Sequence, residues 1–65
     1  MKFELGEVVR FNSKVINKEF VGYLGVISRL DPTNSFYPYM IRTISPQLPG
    51  EHLSGEIEEC WVDHV

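Results

Sequence analysis

Sixty-five residues carrying a net charge of −3, 43% of them hydrophobic and 23% charged, make a single domain over residues 1–65 with one modest core. A chain this short buries only about 60% of its unfolded surface, so a large enclosed active site would compete with the core for the same side chains. The composition excludes a disordered chain, and no apolar run approaches the roughly 20 residues of a spanning helix, so no membrane partner is expected. Met1-Lys2-Phe3-Glu4 lacks the apolar core of a signal peptide, which sets a cytoplasmic expectation. Cys60 is the single cysteine, which excludes an internal disulfide; between Ile57 and Val62 it is expected to pack as a small hydrophobe. Charge is unevenly distributed: all six Lys and Arg precede residue 43, and five of the nine acids follow it. The acidic total weakens long-range attraction to nucleic acid and leaves room for a local basic face.

Leu5 to Phe11 reads as a first strand, with Leu5, Val9 and Phe11 on one face and Arg10 on the other. Asn12 to Glu19 is polar and reads as a surface loop. In Phe20 to Leu30, Gly22 and Gly25 form a corner where the backbone takes a positive φ or makes a close approach, and a second strand follows from Val26. Ile27 and Leu30 have opposite parity, so burying both requires a bulge. Asp31-Pro32-Thr33-Asn34-Ser35 is a turn, because proline presets φ while Asp, Asn and Ser bond locally to the backbone. Tyr39 to Thr43 reads as a third strand, Ser45 to Gly55 as a long irregular loop, and Glu56 to Trp61 as a fourth strand. Val62 to Val65 supplies a turn and a stub of a fifth.

Short strands joined by Gly/Pro turns predict an all-β fold, a closed or nearly closed barrel of four to five antiparallel strands. Gly6-Glu7-Val8-Val9-Arg10-Phe11, then Gly22-x-x-Gly25-x-Ile27-x-x-Leu30, then Tyr39-x-Ile41, resemble the Src-homology-3-like barrels of the KOW type and the small prokaryotic and phage proteins on that scaffold. The resemblance spans nearly the whole chain and rests on fold-defining positions. It implies a binding module, with small phage and mobile-element barrels that regulate or block host machinery among its kind, or an RNA- or DNA-contacting domain.

Among the aromatics, Phe20, Tyr39 and Trp61 are assigned to the core. Phe36 and Tyr37 differ, because two consecutive rings on an extended chain cannot both face inward. They and the loop residues Leu48 and Leu53 are the candidate protein-binding residues. Pro46-Gln47-Leu48-Pro49 has no flanking cation and reads as a rigid exposed loop. Lys14, Lys18, Arg29 and Arg42 form the alternative, a basic strip for nucleic acid beside the glycine corner. His52, His64 and the C-terminal acids show no ligand spacing, and His64 and Asp63, being adjacent, point in different directions. The expectation is a non-enzymatic module with no cofactor or metal and an unidentified protein partner. A homodimer burying Phe36 and Tyr37 is the structural alternative.

Overall fold

The computed structural model describes residues 1–49 and 54–65. Five antiparallel strands form one sheet: β1 (Val8–Phe11), β2 (Leu24–Leu30), β3 (Tyr39–Ser45), β4 (Ser54–Ile57) and β5 (Val62–His64). The spatial order is β4-β3-β2-β1-β5, a meander of β1 to β4 with β5 returning beside β1. Period-two alternation aims the core. Val9 and Phe11 of β1, Ile27 of β2, Tyr39 and Ile41 of β3, Ile57 of β4 and Val62 of β5 bury together on the inner face.

The sheet is all-β as its sequence predicts, but among the described residues it does not close into a barrel. β4 and β5 remain its two edges. Both are short, four and three residues, and a 3-10 turn at Glu59–Trp61 carries the chain from one edge to the other without pairing them. The predicted fourth strand is thus divided: Ser54 and Gly55 join its start, and its end becomes this turn.

The first strand also starts later than predicted. Leu5 and Gly6 form a turn in which Gly6 has φ +85° and Glu7 N–H donates to the Glu4 carbonyl at 3.0 Å. Leu5 therefore points to solvent, 63% exposed, and Phe3 fills the core position instead. Val15 corrects the reading of residues 12–19 as surface: it is buried among the core side chains, and Phe20 packs against them. The bulge in the second strand is present, as a register shift between Ile27 and Arg29 opposite β3, and it lets Leu30, three residues on and of opposite parity to Ile27, pack against the core.

The glycine corner divides its two tasks. Gly22 takes φ +89°, and its N–H donates to the Phe11 carbonyl at 2.9 Å to close the base of the 12–21 loop. Gly25 provides close approach: a Cβ there would lie 2.5 Å from Cγ1 and Cδ1 of Ile41 and 3.1 Å from the Arg42 carbonyl oxygen. Gly25→Val should therefore force Ile41 out of its rotamer, at about 1–3 kcal/mol, against total stability of about 3–5 kcal/mol for a domain of this size. Gly55→Ala, where a Cβ meets nothing within 4 Å, should stay within about 0.5 kcal/mol of wild type. Thermal melts check the pair, and equal melting of the two variants would refute the close-approach role of Gly25.

Candidate functional site

The β2–β3 connection holds the two tandem rings in place. Asn34 Oδ1 accepts from the N–H groups of Phe36 (3.0 Å) and Tyr37 (2.9 Å), Thr33 Oγ1 donates to Asp31 Oδ1 (2.8 Å), and Asp31 N–H donates to the Pro38 carbonyl (2.8 Å). This side-chain turn fixes the backbone so that Phe36 projects into solvent at 73% exposure, while Tyr37, 37% exposed, leans onto Trp61. The Tyr37 and Trp61 centroids are 6.0 Å apart with an interplanar angle of 64°, the edge-to-face geometry that aromatic quadrupoles favour.

Trp61 is the joint of the site. On one side it meets Tyr37; on the other it lines an open apolar cleft of about 240 Å³ with Phe11, Val15, Ile16, Phe20 and Ile57. The cleft occupies the gap left between β4 and the 12–21 loop by the unclosed sheet. Its outer wall is that loop, and three observations show why it holds shape. Lys18 Nζ donates to the carbonyls of Ser13 (2.5 Å) and Val15 (2.9 Å). Asn17 caps the 3-10 turn Lys18–Phe20 by accepting from Glu19 N–H. Phe20 stacks between Phe11 and Tyr23 at centroid distances of 5.9 and 5.4 Å. Ile16, carried on this loop beside buried Val15, is left 72% exposed at the cleft mouth.

Behind the site, Tyr39 organises the polar groups. Its buried hydroxyl donates to Glu59 Oε2 at 2.6 Å and accepts from Phe3 N–H at 3.1 Å, and Lys2 N–H donates to the same carboxylate oxygen at 3.3 Å. Burial and the adjacent Glu59 carboxylate push the Tyr39 phenol up; the Tyr39 hydrogen bond holds Glu59 below the usual carboxylate range. Glu7 is likewise lowered, chiefly by the N–H of Glu4 and then by His64, whose Nδ1 lies 2.5 Å from Glu7 Oε2.

The other expected site residues are dispersed. Leu48 is half-buried beyond the far end of β3, beside Arg42, Ile44 and Gln47. Phe36 and Tyr37 precede the start of β3 and Leu48 follows its end, and they line different recesses. Leu53 lies outside the described residues. Of the basic strip, Lys18 is turned onto its own loop, Lys14 is exposed on that loop, and Arg29 and Arg42 stand on the outer face of β2 and β3. Cys60 is exposed on the 3-10 turn rather than packed, because Val62 takes the core position there. Val15 and Ile16 are not among the site residues the sequence points to; the signal for them is two adjacent apolar side chains inside a polar loop. Among the described residues no group of three or more His, Cys, Asp or Glu is placed to hold a metal ion, and no helix is long and apolar enough to cross a membrane. No family model, curated protein or solved structure matches this chain.

Two consequences are measurable. Glu59 and Glu7 titrate below the ordinary 4.5 in the folded chain, so their stabilisation is complete above that pH and is lost as pH falls through their lowered values. Tyr39 has the opposite sign: it is raised above 10.0, so its contribution is present below pH 10 and disappears in stronger base. Urea midpoints across pH should decline at both ends, and Glu59→Gln should flatten the acid limb. An acid limb identical in Glu59→Gln would contradict the Tyr39–Glu59 bond. Lys18→Ala, which frees two loop carbonyls, should cost about 1 kcal/mol, readable as a lowered melting temperature; an unchanged melt would show that the loop holds its shape without those bonds.

Proposed function

We propose that this chain is a non-enzymatic protein-interaction module of the Src-homology-3-like kind, docking an apolar segment of a partner protein across Tyr37 and Trp61 and into the cleft beside them. The observation that carries the reading is the joint formed by Trp61, which stacks on Tyr37 and also lines an open cleft whose mouth carries exposed Ile16. An exposed Phe36 on a turn pinned by Asn34 adds a rigid ring at the rim. Rigid aromatic anchors beside a preformed apolar depression give affinity at low ordering cost. The four-strand meander, with a 3-10 turn that leads to a fifth strand beside the first, supports the Src-homology-3-like assignment. Regulation or blocking of host machinery, as by small phage and mobile-element barrels, is the role we assign to such docking.

The nucleic-acid alternative draws less support. Its four cations do not line one surface, since the Lys18 ammonium is engaged by two loop carbonyls while Arg29 and Arg42 stand on the sheet's outer face.

Affinity capture from a cytoplasmic lysate with wild type, with Phe36→Ala/Tyr37→Ala and with Ile16→Asp tests the proposal. A partner held by wild type should bind each variant at least about tenfold more weakly; Ile16→Asp should melt near wild type because its side chain is exposed, and the double variant should be about 1 kcal/mol lower in stability because it also loses the Tyr37–Trp61 contact. Equal recovery by all three proteins would remove this surface from the interface, and a stable homodimer dissociated by the same substitutions would make the partner a second copy.

A further inference from the structure

All three arginines of the chain, Arg10, Arg29 and Arg42, are exposed on the sheet, and the register puts them on its outer face. Arg10 pairs across from Leu24, Arg42 across from Val26, which also faces Val8, and Arg29 across from Met40. Direct cross-strand partners share a face, so the guanidinium groups are interleaved there with Leu24, Val8, Val26 and Met40, and the same register puts Asp63 across from Arg10 and Glu56 across from Met40 at the two margins of that face. This face is turned away from the core and the cleft. It carries three of the six cations of a chain whose net charge is −3.

Among the described residues these cations form no ion pair. Asp63 lies directly across β5 from Arg10, yet its carboxylate accepts from Asn12 Nδ2 at 3.3 Å. Arg29 shares a recess with Asp31 and Glu56. Among the described residues, no guanidinium comes within ion-pair distance of a carboxylate, and the one ion pair is His64–Glu7.

We propose that this outer face docks an acidic, extended polypeptide segment whose carboxylates alternate with apolar side chains. Three arguments select that occupant. Guanidinium forks pair with carboxylates in planar, bidentate geometry, and the apolar side chains between them match the intervening residues of such a segment. Arg10 and Arg42 stand two strands and two residues apart, roughly 12 Å by sheet geometry, close to the roughly 13 Å between same-face positions four residues apart in an extended chain. Nucleic acid fits less well: none of the side chains this register places on the face is an aromatic ring on which a base could stack.

The test is amide-shift mapping of the isotope-labelled chain titrated with a synthetic peptide alternating glutamate and valine, with a lysine–valine counterpart and a single-stranded oligodeoxynucleotide as comparisons. The glutamate peptide should shift Val8, Arg10, Val26 and Arg42, and Arg10→Gln and Arg42→Gln should each weaken it about fivefold while leaving the melting temperature in place. The lysine peptide should leave these amides unmoved. Absence of shifts there, shifts centred on Tyr37 and Trp61 instead, or tighter binding of the oligodeoxynucleotide to the same residues would each overturn the proposal.

Discussion

The hydroxyl of Tyr39 is the constraint from which the rest of the arrangement follows. A phenol buried in so small a core must have its hydrogen bonds satisfied inside the protein, because an unpaired buried polar group costs more than a typical bond returns. Here it donates to Glu59 and accepts from Phe3 N–H. Three segments far apart in sequence, the N-terminal arm, the start of β3 and the turn before β5, are thereby held at one point. Phe3 is fixed over the core with its ring 5.6 Å from that of Tyr39, and the 3-10 turn that presents Trp61 begins at the residue Tyr39 holds.

That anchoring substitutes for closure. A barrel removes its edges by pairing the first and last members of the sheet; this chain leaves β4 and β5 unpaired with each other and spans the gap with a turn tied to Tyr39 and a loop tied by Lys18. The gap is the cleft. The same shortness of β4 and β5 that prevents closure therefore creates an open apolar depression on a chain too small to enclose a pocket inside its core. The proposed docking site and the incompleteness of the sheet have one physical origin.

Much of the fold is legible in the sequence because it depends on local signals. Alternation places Val9, Phe11, Tyr39 and Ile41; the parity conflict of Ile27 and Leu30 demands the bulge found between Ile27 and Arg29; Asp31 to Ser35 announces the turn. What local reasoning misses depends on partners distant in the chain. Leu5 has the right parity for a strand, but Gly6 turns the chain before it and Phe3 occupies the core instead. Val15 looks like loop until the 12–21 segment folds back onto Phe11. For the site, the Phe-Tyr-Pro context requires that at least one of the two rings be exposed; that Phe36 is the more exposed one follows from the turn held by Asn34. The pairing of Tyr37 with Trp61 joins residues from two different turns, and no pattern within either turn encodes it.

The carboxyl titration of Glu59, followed by NMR in wild type and in Tyr39→Phe together with hydrogen exchange at the Phe3 amide, examines the anchoring most directly. If the Tyr39 hydroxyl ties the three segments together, Glu59 titrates below 4.5 in wild type and moves up toward that value in the variant. The Phe3 amide, deprived of its acceptor, then exchanges faster than in wild type. An unchanged Glu59 titration together with an unchanged Phe3 exchange rate would contradict it.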